Sequence, residues 1–369
     1  MADQRIIDIV TNAPYDYAII GQGLAGTLLA WRLHQRGRRV IMIDRDEAFT
    51  ASKVAAGLIN PITGQRTCLS WRLQEFLPAA IAFYRRVERE LNTPLLHSMP
   101  LVRLLPNAKA LQKWNTAVSD PEIRSYLSDP QPSPLVNPEL VRISEGGGGF
   151  EIATAHILDV PRFLEASRKV FKVHTAEIDI ANAVTADTHC VRVRTGDKSI
   201  IADRLIFCQG ADGRSGNRFF DWVPFACAKG ELLTIECPAM KTETRILNGT
   251  AWIAPIPGSE PGTFRAGSTY IHDDWSKTPT TAGRAAIEGK LQQLLNVKFT
   301  VTSHTAAIRP IIAYSRALIG MHPTHTRVGF FNGLGSKGSL NGPFIAEKLA
   351  AHLEENAPLE HELDVLKNS

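Results

Sequence analysis

Two periods of apolar residues alternate along the chain, and the points where one gives way to the other mark its elements. Tyr17-Ala18-Ile19-Ile20 and Val40-Ile41-Met42-Ile43 are unbroken apolar runs, the form taken by parallel strands buried on both faces. The segment between them opens on Gly21-Gln22-Gly23-Leu24-Ala25-Gly26 and continues as a predicted helix to about Gly37. A helical period follows over 72–92, where Leu73, Phe76, Leu77, Ala80, Phe83, Tyr84 and Val87 recur at i, i+3 and i+4 spacing. Pro94, Pro100, Pro106, Pro121, Pro130, Pro132, Pro134 and Pro138 then cut the chain into short pieces, and Gly146 to Gly149 predict a turn before Phe150-Glu151-Ile152.

Helical spacing returns after Asp159, a candidate cap, with Pro161 in the first turn and Phe163, Leu164 and Val170 on the inward side. Strands are predicted at Glu177 to Ile180, Cys190 to Arg194, Ser199 to Ala202 and Arg204 to Cys208. A second group, Gly230 to Cys237, Gly249 to Ala254 and Thr263 to Tyr270, has the alternation and aromatic content of an antiparallel sheet, and a helix from about Thr281 to Leu295 follows it. The last segment repeats the opening: Val328 to Phe331 as a strand, Asn332 to Gly338 as a glycine loop, Phe344 to Leu353 as a helix. Two glycine-rich strand-to-helix turns at opposite ends of one chain imply a single ligand held from both sides.

Length makes room for that arrangement. At 369 residues the chain exceeds the ~250 to 300 residues at which single cores stop growing, so two domains are expected. The fold class is α/β (α+β overall): a discontinuous Rossmann-like nucleotide domain over 15–90, 155–225 and 305–355, an inserted antiparallel-sheet substrate domain over 91–154 and 226–304, and an N-terminal arm over 1–14. The net charge of +4 is spread along the chain rather than gathered in runs, so nucleic-acid binding is not indicated. The five cysteines include no C-x-x-C pair and the histidines have no ligand spacing, so no metal site is expected and a reducing, cytoplasmic setting is. No apolar run approaches the ~18 residues of a membrane span, and the start of the chain lacks a signal-peptide pattern.

The opening unit carries the first chemistry. Gly21 permits a tight turn, Gly23 lets backbone approach a pyrophosphate, Gly26 lets helix pack on strand, and Asp44 can accept both hydroxyls of an adenosine ribose. The helix start adds N–H groups and a positive dipole end for phosphate.

Taken together, these segments resemble the FAD-dependent oxidoreductases of the D-amino-acid oxidase, glycine oxidase and sarcosine oxidase family from Tyr17 to Leu353. The matching pieces are Gly21 to Gly26 with Asp44, Ser52-Lys53-Val54-Ala55-Ala56-Gly57-Leu58-Ile59, Phe207-Cys208-Gln209-Gly210-Ala211, Lys229-Gly230-Glu231-Leu232, Ile308-Arg309-Pro310 with Ile319-Gly320, and the closing loop. That loop and Ala56-Gly57-Leu58-Ile59-Asn60-Pro61 are also similar to the oxidase domain of the bifunctional enzyme that modifies wobble uridine in tRNA. The resemblance implies a non-covalent FAD, since no cysteine falls in the C-terminal segment where sarcosine oxidases attach theirs. It implies that Gly21, Gly23, Leu24, Ala25 and Gly26 hold the pyrophosphate, Asp44 and Arg45 the ribose, and the backbone at Glu177 the adenine. Ser52, Lys53, Ala55, Ala56, Gly57 and Leu58 would line the ribityl chain and ring, Gly210 the pyrophosphate side, and Leu334, Gly335, Ser336, Lys337 and Gly338 the ring's far edge.

The activity implied is oxidation of a C–N bond in a small amine or amino acid by hydride transfer to the flavin, with oxygen or another acceptor. Arg309 is the candidate for a substrate carboxylate, because a guanidinium offers two parallel donors to a planar anion. Arg265 stands where sarcosine oxidase-like members carry a lysine that promotes reaction with oxygen. Lys337 and the helix start beside it would supply positive potential to the ring. Trp252, Tyr270 and Trp275 are candidates for an aromatic pocket, although aromatics on sheet strands are more often core. Two alternatives stay open: an FAD-dependent hydroxylase, through Gly210-Ala211-Asp212-Gly213-Arg214-Ser215, and a flavoprotein acting on a modified nucleobase side chain.

Overall fold

A computed structural model describes residues 14–63, 68–105, 107–128, 135–143 and 148–368. The N-terminal arm up to residue 13, the prolines at 106, 130, 132 and 134, and the first two glycines of the turn expected at 146–149 lie outside the described residues. The chain divides into two compact units.

The first unit comprises Met1–Lys53, Pro161–Cys227 and Arg309–Ser369. Its eight-stranded sheet runs Lys172–Thr175, Val40–Asp44, Tyr15–Ile20, Lys198–Phe207, Val191–Thr195, Val184–Ala186, with Val328–Asn332 branching from Lys198–Phe207 and Leu318–Met321 pairing onto that branch. The four strands Lys172–Thr175, Val40–Asp44, Tyr15–Ile20 and Lys198–Phe207 are parallel, and so is Val328–Asn332. Their apolar runs are buried because helices cover the sheet. Helix Leu24–His34 packs against helix Gly338–Glu355, and Ile20, Ile41, Ile43, Leu205, Phe207 and Phe330 share one core.

The second unit comprises Val54–Val160 and Ala228–Ile308. Its seven-stranded sheet has the order Thr300–Arg309, Ala228–Glu236, Thr263–Gly267, Trp252–Pro255, Ile246–Asn248, Leu101–Leu105, Gly148–Ile152. Neighbours are antiparallel at the pairs with assigned register, except that Ile246–Asn248 and Leu101–Leu105 run parallel. One face packs on helix Thr281–Leu294 through Leu233, Ile235, Ile253, Phe264, Ile287 and Leu291. Leu101, Trp114, Phe150, Ile152, Ile246 and Ala254 form a separate core.

Several boundaries differ from those expected. Residues 54–90 group with the second unit, because Leu58–Ile59 pairs with His156–Leu158 and helix Leu73–Leu91 packs beside Leu96–Ser98. The strand expected at 177–180 is Lys172–Thr175 instead, set by pairing Thr175 with Asp44, while Ile180–Ala183 is a helical turn. The strands expected at 199–202 and 204–208 are one, Lys198–Phe207, whose first half pairs antiparallel and second half parallel. Residues 249–251 form a turn between two strands. The closing helix starts at Gly338 rather than Phe344, its burial outweighing the poor helix propensity of Gly342 and Pro343. Helix Val160–Ser167 stops short of Val170, which is 38% exposed.

Candidate functional site

In the first unit the parallel strands Tyr15–Ile20, Lys198–Phe207 and Val328–Asn332 lie side by side. Their carboxyl ends therefore deliver Gly21, Gly210 and Gly333 to one edge of the sheet, the place where open α/β sheets bind ligands. Gly21 turns there with φ +105° and donates to Ile43 O at 2.8 Å. Gly23 precedes helix Leu24–His34 in extended conformation and gives it no side-chain cap, so the first-turn N–H groups rely on partners from outside the helix. Ser52 Oγ accepts one of them, Leu24 N–H, at 2.9 Å. The close approach is real: a Cβ on Gly26 would sit 2.0 Å from Gly21 O. A backbone surface this bare, ending in a helix start, fits the pyrophosphate of FAD.

Asp44 is aimed by two backbone donors. Gln22 N–H reaches its Oδ2 at 2.6 Å and Asp46 N–H its Oδ1 at 2.7 Å, which leaves a lone pair on each oxygen for a ribose hydroxyl. Arg45 is turned to carboxylates, with Asp212 at 2.7 Å, Glu177 at 3.8 Å and Glu47 in direct contact. The Glu177 side chain is 82% exposed, while Ala176 N–H just before it donates to Asp44 O at 3.0 Å, so the backbone at 176–177 stands beside Asp44. Lys53, expected along the ribityl chain, places its ammonium on Asp46 Oδ1 and Glu47 O, each at 2.8 Å.

The closing loop is tied to the same edge. Asn332 Nδ2 donates to Gly210 O at 2.9 Å, Gly333 N–H to Asn332 Oδ1 at 2.8 Å, and Gly335 N–H to Pro310 O at 3.0 Å. The last of these bonds fixes the loop to the Arg309-Pro310 element. Leu334 is buried, Ser336 exposed, and Lys337 immediately precedes the helix that begins at Gly338, without a side-chain cap bond.

In the second unit Ala55, Ala56, Gly57 and Leu58 run into the strand that pairs with His156–Leu158, and Leu158 N–H donates to Gly57 O at 3.0 Å. Arg265 donates from Nη1 to Ala55 O and, at 3.3 Å, to Val54 O. Its burial pushes the guanidinium below its ordinary value, with Asp159 opposing. Arg265 thus supports the 54–55 backbone rather than standing free like a reactive amine. Trp252 packs on Val54, Leu232 and Ala307, whereas Tyr270 and Trp275 lie past the strand Thr263–Gly267, which stops short of the expected Tyr270, and are 55% and 39% exposed.

Sequence reasoning gave no role to the buried pair Lys229 and Glu231. Lys229 Nζ donates to Asp274 Oδ2 at 2.7 Å and Ser276 Oγ at 2.9 Å, and Glu231 accepts from Thr280 N–H at 2.9 Å and Thr280 Oγ1 at 2.8 Å. His304 Nε2 lies 2.7 Å from Glu231 Oε2 but is not lined up as a hydrogen bond. The alternation of the strand could have flagged this pair, since both charges fall on positions that the period turns inward. The Lys229 ammonium holds the Asp274 carboxyl down at about 2. A carboxylate with a folded pKa below its unfolded ~3.9 adds stability that is complete above the unfolded value and is lost as pH falls toward the folded one. Resistance to denaturant should therefore fall with acidification between about pH 4 and about pH 2, less steeply in Asp274→Asn. Equal slopes for the two proteins would exclude the pair as a contributor.

The sequence profile of the DAO family, described as FAD dependent oxidoreductase, matches residues 16–352. The chain is similar to a glycine oxidase of Pseudomonas aeruginosa, 23% identical over 313 residues that cover 79% of this chain and 82% of the relative. A glycine oxidase of Bacillus licheniformis is 21% identical over 350 residues, covering 91% and 92%. Among solved structures, the glycine oxidase of Bacillus cereus superposes with a TM-score of 0.77 at 18% identity, covering 93% of this chain and 96% of that one. The iminodiacetate oxidase of a Chelativorans species gives 0.74 at 17% identity, covering 94% and 98%. At these identities the structural likeness is one of fold.

Proposed function

The chain belongs to the FAD-dependent oxidoreductase family, and from that premise we propose that it oxidises the C–N bond of a small amine or amino acid, with oxygen or another acceptor reoxidising the flavin. The observation that carries this reading is the split cradle: two strand-to-helix glycine turns, at Gly21 to Gly26 and Gly333 to Gly338, on one sheet edge and tied through Gly210 and Pro310. A nicotinamide domain needs one such turn; an extended flavin uses both. Bound FAD supplies the two-electron acceptor.

The remaining work falls to positioning. Asp44 orients the adenosine end, and the N–H groups at the start of helix Leu24–His34 meet the pyrophosphate. Lys337 and the start of helix Gly338–Glu355 contribute positive potential without a proton transfer. Arg309 takes the substrate's carboxylate through two parallel donors. With Arg265 engaged on backbone carbonyls, oxygen is a slow acceptor in this reading. Five thiols, none of them in a disulfide, suit a reducing cytoplasm.

The deciding experiment is anaerobic. Purified protein is mixed with glycine, N-methylglycine, D-amino acids and simple amines while flavin absorbance is followed, and one or more should bleach it with no nicotinamide donor present. Bleaching by a nicotinamide donor alone would instead favour a hydroxylase. Arg309→Ala should raise the KM of a carboxylate substrate roughly 10- to 100-fold, the loss of one charge-assisted pair, with bound FAD retained. An unchanged KM would remove Arg309 from the site.

A further inference from the structure

Three segments of the first unit that are distant in sequence meet on a cluster that touches the fingerprint from behind. Arg168, just past helix Val160–Ser167, donates from Nε to Gln22 Oε1 at 2.6 Å. The Gln22 side chain is buried and donates in turn from Nε2 to Leu164 O at 2.9 Å. The other end of the same guanidinium clasps Asp46, with Nη2 to Oδ1 at 2.9 Å and Nη1 to Oδ2 at 3.4 Å. Lys53 Nζ shares Asp46 Oδ1 at 2.8 Å.

Two residues gripped by Arg168, Gln22 and Asp46, are the ones whose backbone N–H groups hold the two oxygens of Asp44, at 2.6 and 2.7 Å. Asp46 sits at φ +56°, a left-handed conformation that a non-glycine residue adopts at a cost and keeps when its surroundings fix it. Both cations that fix it act on its side chain. We propose that Arg168 is a positioning residue for the adenosine half of FAD: it sets the side chains of Gln22 and Asp46 so that their N–H groups present Asp44 to the ribose. Arg168 touches no part of the cofactor in this assignment. The proposal rests on the reading of Asp44 as the ribose acceptor.

The test strips FAD from the holoenzyme and compares the rebinding of three ligands. FAD affinity is read from flavin fluorescence, ADP from displacement of FAD, and FMN, which lacks adenosine, from direct binding. Arg168→Met should weaken FAD and ADP about tenfold, the size of one lost hydrogen bond to a charged group, and leave FMN unchanged. Arg168→Lys, able to pair with Asp46 but not to bridge to Gln22, should fall between. Unchanged FAD and ADP affinities would overturn the proposal, and so would an equal loss for FMN, which marks a general loosening of the fold. Asp44→Asn separates the premise: if it leaves ADP binding intact, the ribose reading fails; if it weakens ADP while Arg168→Met does not, only the role of Arg168 fails.

Discussion

Replacing Gly26 by alanine should give a protein that purifies colourless and binds added FAD at least about a hundredfold more weakly, a loss of about 2.7 kcal/mol. The added Cβ would lie 2.0 Å from Gly21 O and 3.1 Å from Ile19 Cγ2. Neither neighbour can yield cheaply. Gly21 O belongs to the turn, and its own residue has no room to move toward Cys208, whose carbonyl a Cβ there would meet at 2.3 Å. Relief must come from sliding helix Leu24–His34 outward, but that helix is packed against Gly338–Glu355. Either way the first-turn N–H groups leave the place they occupy beside Ser52, and a phosphate loses its donors. Helix content by far-ultraviolet circular dichroism should persist, because the change is rigid-body displacement rather than unfolding. A yellow variant with parental FAD affinity would mean that the pyrophosphate is not held at this helix start.

The two strand-to-helix turns were legible in the sequence because their geometry is local. A turn between strand and helix is written in adjacent glycines, so Gly21 to Gly26 and Gly333 to Gly338 were readable, and helix Leu73–Leu91 followed from its period with all seven inward positions buried. What was not legible is pairing across distance. Arg168 meets Gln22 from 146 residues away and Asp46 from 122, and nothing in the local pattern of either marks the other. Lys53 and Arg45 look like ligand contacts because they flank the right motif, yet acidic and carbonyl oxygens of their own loop reach them first. The unit boundary after Lys53 escaped notice for the same reason: Leu58–Ile59 is too short to read as a strand, and it is placed by its partner His156–Leu158. Arg265 was legible as the position where sarcosine oxidase-like members carry a lysine, but its bonds to the backbone of Val54 and Ala55, more than 200 residues away, were not.

Glu231→Ala should cost about 3–5 kcal/mol of unfolding free energy, the loss expected when one member of a buried charged pair is removed. Both Lys229 and Glu231 are fully buried, 3.9 Å apart between Nζ and Oε1. Removing the carboxylate strands more than the ammonium. Thr280 N–H and its hydroxyl both lose their acceptor, and Thr280 is the residue that caps helix Thr281–Leu294 by accepting from Gly283 N–H. That helix contributes Ile287, Leu291 and Leu294 to the core beneath the sheet, so the damage passes from one carboxylate to a helix start and then to packing. Lys229 keeps Asp274 and Ser276, which is why the cost should stay within the range for a broken pair rather than that of an isolated buried charge. Glu231→Gln retains an acceptor for Thr280 N–H and should lose less, about 1.5–3 kcal/mol, the worth of hydrogen bonds to a charged group. Denaturant unfolding of the three proteins checks the order, with an unchanged m-value indicating that stability rather than compactness has moved. If Glu231→Ala came within 1 kcal/mol of the parent, or Glu231→Gln proved the weaker of the two, the carboxylate would not be what anchors this helix to its sheet.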